Sequence, residues 1–202
     1  MLLPRSCPAC RRIGPAPCDG CLLALEPAPV VAPPPGIDAC VALFAYSGVG
    51  ATLVRRLKYA NHRDAMCALT AALALAVDEV VSTDADPIGV VTWVPTTARR
   101  ERARGYDQAR LVAAGVARHL GLRARSTLAR DGDRSQTGSD RVERLVGPPM
   151  RPRRPLAGTV VLVDDVRTTG ASLATAAAAL RSAGASSVFG ATLAITPSRR
   201  AG

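Results

Sequence analysis

Apolar positions change their spacing several times along this chain, and each change predicts an element. Val160–Val163 is a continuous run of β-branched residues and Leu that ends at Asp164-Asp165, the pattern of a strand buried on both faces. An Ala-rich stretch over Ala171–Ser182 predicts a helix closed by Gly184, and Ser187–Ile195 predicts a further strand. Upstream, Val41–Tyr46 reads as a strand, Val49–Val81 as helical stretches interrupted around Asn61-His62-Arg63, and Ile88–Pro95 as a buried strand. Leu111, Val112, Gly115, Val116 and Leu120 recur at helical spacing, so Gln108–Leu120 is expected to be a helix, with Gly121 as its stop. Thr127–Arg154 has no sustained apolar period and reads as one long loop, a lid or an unstructured segment. Strand and helix alternate, which predicts an α/β fold with a largely parallel sheet covered by helices. No internal repeat is visible.

The first residues do not share this pattern. Residues 1–26 hold four of the six cysteines, and Pro27–Gly36 holds five prolines, which suits an extended linker. The expected organisation is a four-cysteine unit at 1–26, a linker at 27–36 and an α/β domain at 37–202, within a length that suits one ordinary domain plus a small appendage. At 48% hydrophobic and 3% aromatic residues, the core must be built of Ala, Val and Leu. No apolar run approaches the ~18 residues of a membrane helix. No export signal opens the chain, so no membrane insertion and a reducing cytoplasm are expected.

Charge adds a second asymmetry. The net charge is +10, and Arg99–Arg154 alone carries fifteen Arg against six acids. A segment of this kind suits an anionic partner, polyphosphate or nucleic acid; a solvated face is the competing reading. Lys58 is the single lysine.

The strongest chemical signal is Val160-Val161-Leu162-Val163-Asp164-Asp165-Val166-Arg167-Thr168-Thr169-Gly170-Ala171-Ser172-Leu173. A buried strand delivers two carboxylates, and a hydroxyl-rich turn then opens a helix. Unpaired amides at a helix N-terminus, with the hydroxyls of Thr168, Thr169 and Ser172, suit a phosphate monoester, and Gly170 lets the backbone come close. The carboxylates can accept from ribose hydroxyls or help to hold Mg²⁺. The segment resembles the phosphoribosyl-pyrophosphate signature of type I phosphoribosyltransferases, with Ser172 where Thr is usual and Arg167 where an aliphatic residue is commoner. The resemblance implies a Rossmann-like fold with helices on both faces of the sheet. It also implies a phosphoribosyl-binding turn at Thr168, Thr169, Gly170, Ala171 and Ser172, and a catalytic role for Asp164 and Asp165.

A second constellation runs from Val94-Pro95 through Arg99, Arg100, Arg102 and Arg104 to Gly105-Tyr106-Asp107-Gln108-Ala109, where pyrophosphate can lie. It is similar to the corresponding loop of the ComF family, competence-associated phosphoribosyltransferase-like proteins of bacteria. Leu57-Lys58-Tyr59 and Arg134-Ser135-Gln136-Thr137-Gly138, with Arg141 and Arg144, resemble further segments of that family, although Ser139 replaces its usual Leu. The resemblance implies a phosphoribosyl pyrophosphate ligand with Mg²⁺ and an anion site at Arg99, Arg100, Arg102, Arg104 and Lys58. It implies either pentosyl transfer to an acceptor the sequence does not identify, or a non-catalytic DNA-uptake component that holds single-stranded DNA. Against base recognition, the basic region offers only Tyr106 as an aromatic.

Cys7-x-x-Cys10 and Cys18-x-x-Cys21 are two knuckles separated by seven residues, a spacing that can set four thiolates around a structural Zn²⁺; disulfides or a metal-free, unstructured segment are the alternatives. ComF-like proteins often begin with such a unit. Cys40 and Cys67 lie in apolar surroundings and are expected in the core, and His62 and His119 are given no metal role.

Overall fold

The computed structural model describes residues 5–57, 63–81, 86–97, 102, 105–130 and 147–197. The elements are α1 (Asp19–Leu23), β1 (Ala39–Ala45), α2 (Gly48–Leu57), α3 (Arg63–Val81), β2 (Ile88–Trp93), α4 (Gln108–His119), β3 (Leu128–Arg130), β4 (Met150–Pro152), β5 (Thr159–Arg167), α5 (Ala171–Ser182) and β6 (Ser187–Ile195). The four main strands form one parallel sheet in the order β1-β6-β5-β2.

Alternation along β5 explains why Val160–Val163 is apolar without a break. Val161 and Val163 face a core shared with α2, α3 and α4, where Leu53, Leu73, Val112 and Val116 are fully buried. Val160 and Leu162 face the opposite core, closed by Leu173, Ala176, Ala177 and Leu180 of α5. Each strand residue therefore meets a helix whichever way it points. Helices on both faces agree with the expected α/β architecture.

The connections place the functional end. From β2 the chain crosses over α4 to an outer segment in which Ala124 pairs parallel with Val91 and the Arg125 amide donates to the Val91 carbonyl at 2.9 Å. A buried hydroxyl pair, Thr127 Oγ1 to Thr92 Oγ1 at 2.8 Å, fastens this segment to the sheet. From β5 the chain crosses the other way, over α5 on the opposite face, to β6. The two chain directions part between β2 and β5, and in an open α/β sheet the crevice beyond the carboxyl ends at such a point is where ligands bind.

The segment expected to be one long loop, Thr127–Arg154, is a hairpin in part: Leu128–Arg130 pairs antiparallel with Met150–Pro152. These strands are three residues each, too short for alternation to register in sequence. Cys67 also departs from expectation: it is exposed on α3, with Arg118 Nη2 3.8 Å and His119 Nε2 4.0 Å from its sulfur. Cys40 is half-buried against the α5 core, and burial pushes its thiol pKa up. No helix among the described residues is long and apolar enough to cross a membrane.

Candidate functional site

The carboxyl end of β5 carries Asp164 and Asp165 inside the strand, which continues to Arg167 beside β6. Both carboxylates are half-buried, and each takes up the amide that follows it: Asp165 N donates to Asp164 Oδ1 at 2.8 Å, and Val166 N to Asp165 Oδ1 at 2.9 Å. Thr168 and Thr169 then form an exposed bend, and Gly170 caps α5 in the left-handed conformation at φ 82°. That dihedral strains any residue with a side chain. A Cβ there would also come within 2.9 Å of Pro34 Cγ, so the proline-rich segment lies directly against the turn. Arg167 Nη2 holds the same segment by donating to the Ala32 carbonyl at 2.6 Å.

Around the helix start, Thr169 Oγ1 accepts from the Ala171 amide at 3.3 Å, and Ser172 is half-buried in the first turn. Gly170 itself has no side chain to cap the helix, so at this end the Thr169 hydroxyl takes the Ala171 amide instead. Gly147, at the return of the 131–146 segment, sits over this turn: a Cβ there would collide with the Ala171 carbonyl and reach Thr175 Oγ1 at 2.7 Å.

Across the crevice, the chain leaving β2 is pinned at both ends. Val94 N donates to the Val163 carbonyl at 2.9 Å, which holds the loop start to β5. Asp107, buried at the N-cap of α4, accepts from Thr96 N at 3.2 Å and from Arg110 N at 3.4 Å, so one carboxylate ties the loop's start to the helix that ends it. Tyr106 OH donates to the Leu57 carbonyl at 3.2 Å. Arg102 is exposed; Lys58, Arg99, Arg100, Arg104 and the Arg134–Arg144 segment lie outside the described residues. Gln108, which the sequence marks only as part of a motif, is 3% exposed, with neither amide atom partnered among the described residues. Buried amides are rarely left so.

Cys7, Cys10, Cys18 and Cys21 converge, with all four sulfurs within 4.8 Å of one another. Tetrahedral ligation by four thiolates at ~2.3 Å sets sulfurs about 3.8 Å apart, so the cluster fits such an ion with a small contraction. Two local structures bring the cysteines together. A hairpin pairs Ser6 with Ile13 and returns the Arg12 carbonyl to Cys7 N, while Cys18 begins α1 and so sets Cys21 on its first turn. Burial opposes the Cys7 thiolate, but amide donors at Cys10, Cys18 and Ala9 outweigh it and bring its pKa down to about 6. Cys21 is pushed up to about 12 by burial and by the neighbouring sulfurs. The cluster can hold a metal such as zinc, because a divalent cation reverses the repulsion among the four sulfurs.

The unit is fastened to the α/β body by Arg56 of α2, whose Nη1 donates to the carbonyls of Pro8 and Ala9, both at 3.1 Å, inside the first knuckle. Arg5 pairs with Asp64 of α3 at 3.0 Å. Arg56→Gln is expected to weaken metal affinity about tenfold, the low end for partners that orient metal ligands, as read by competition with a chromophoric chelator. A scan of protein-family models and a search of curated proteins found no match to this chain.

Proposed function

We propose that the crevice between β5 and β2 binds a phosphorylated ribose, of the phosphoribosyl pyrophosphate class, together with Mg²⁺. The observation that carries this reading is one continuous unit: a parallel strand ending in Asp164 and Asp165, a left-handed Gly170, and the amide-rich start of α5, set where the chain direction reverses in the sheet. The helix start and the hydroxyls of Thr168, Thr169 and Ser172 receive the 5-phosphate. The two carboxylates accept from the ribose hydroxyls, and Mg²⁺, when bound, neutralises pyrophosphate. In this reading the arginines of the loop after β2, whose start and end Asp107 ties together, supply that pyrophosphate with further positive charge. Pentosyl transfer follows from this arrangement if an acceptor reaches the ribosyl carbon as pyrophosphate leaves, with catalysis by position and charge rather than by a covalent nucleophile. The cysteine cluster holds one structural Zn²⁺ in the same reading.

Thermal shift with phosphoribosyl pyrophosphate, with and without Mg²⁺, against ribose 5-phosphate and pyrophosphate tests the assignment. The full ligand with Mg²⁺ is expected to stabilise most. Thr169→Ala and Ser172→Ala are each expected to weaken binding by about 1–3 kcal/mol, the range for a hydrogen bond to a charged group.

A further inference from the structure

Beyond the outer side of β2 lies a groove of about 1060 Å³ that includes none of the Thr168–Ser172 turn. One wall is the exposed stripe of α4, where Arg110, Ala114 and Arg118 recur at four-residue spacing while Val112, Ala113, Val116 and Ala117 face the core. The other wall is the outer segment and hairpin, which contribute Arg123, Ser126, Arg130 and Arg153. Trp93, the single tryptophan of the chain, lines the groove at the carboxyl end of β2, and the Arg110 guanidinium lies 6.0 Å above its ring centroid. Ala114, between the two helix arginines, keeps the space open.

Among the described residues, five guanidinium groups line this space against one carboxylate, Asp107, which already accepts from the amides of Thr96 and Arg110. Guanidinium groups converging on one cavity call for an anion with several oxygens, phosphate above all. The stacked Trp93–Arg110 pair adds a flat, polarisable surface suited to an aromatic ring. Single-stranded nucleic acid is commonly held by several aromatics stacking successive bases, and this groove offers one. Its volume is close to the upper end of the range for small-molecule sites. We infer that the groove binds one nucleoside polyphosphate, its base against Trp93 and Arg110 and its phosphates among Arg118, Arg123 and Arg153, separately from the ribose-phosphate crevice on the other side of β2.

Because Trp93 is the only tryptophan and lines the groove, intrinsic tryptophan fluorescence reports on its occupancy. Titration with ATP, GTP and UTP is expected to quench it saturably, with inorganic triphosphate binding at least tenfold more weakly. Arg118→Gln with Arg123→Gln is expected to weaken the nucleotides at least tenfold. Arg118 also donates to Cys67 Sγ, so Arg123→Gln alone serves as the second variant, with an expected loss of three- to tenfold. Phosphoribosyl pyrophosphate should not compete with the nucleotides, whether or not it binds elsewhere. The inference is overturned if no nucleotide quenches, if the arginine variants bind as the wild type does, if inorganic triphosphate binds equally well, or if only oligonucleotides of several residues bind.

Discussion

Asp164→Asn combined with Asp165→Asn is expected to abolish the stabilisation that the proposed function expects of phosphoribosyl pyrophosphate with Mg²⁺. A ligand at a hundred times its Kd stabilises a native state by about 2.7 kcal/mol, roughly 5–10 °C in Tm for a chain of this size. The double variant is expected to lose the whole shift. Asn keeps the volume of Asp, and its Oδ1 can still accept the Asp165 and Val166 amides that now close onto the two carboxylates, so the end of β5 keeps its geometry. What disappears is negative charge, which Mg²⁺ needs. An unchanged shift would remove both acids from the site and leave the turn as a structural strand-to-helix connection.

Stripping metal from the cysteine unit is expected to produce the second large effect. Elemental analysis should find one zinc per chain, and chelation should lower Tm and expose four thiols to reagents that leave the loaded protein untouched. Structural zinc contributes about 10–16 kcal/mol to folding in isolated small units, far more than the few apolar side chains here can supply. Cys7 and Cys21 are themselves much of what this segment buries. Loss of order there reaches the body through Arg56 and Arg5, which hold the unit to α2 and α3. Native protein without zinc and with reactive cysteines would reject the assignment.

The sequence was most informative where one element satisfies a single demand. β5, α5 and β6 were legible because a strand buried on both faces is apolar at every position and the helix beside it is closed by glycine at Gly184. Strand order was not legible, since parallel pairing over distances such as Ala39 to Phe189 leaves no local trace. The hairpin of Leu128–Arg130 and Met150–Pro152 looks like loop in sequence because its strands are short and carry Arg and Pro. The exposure of Cys67 is hidden because α3 is apolar on most of its surface, which conceals which face is covered. Of the candidate site, the Asp164–Ser172 unit was visible as a contiguous string. The Trp93–Arg110–Arg118–Arg123–Arg153 groove was not, because its members are scattered over sixty positions and meet only when α4 and the hairpin flank β2.

The pairing of β1 with β6 also fixes an order of events during synthesis. Ala39 emerges from the ribosome long before Phe189, its partner across the sheet. At about 5–20 residues per second the wait is roughly 8–30 s. Throughout it, β1 lacks the neighbour that covers its edge, and Phe44, Leu53 and Leu73 lack Phe189 and Leu193, which complete their core. A nascent chain arrested before Ser187 is therefore an unfinished sheet with exposed apolar surface rather than a smaller folded protein.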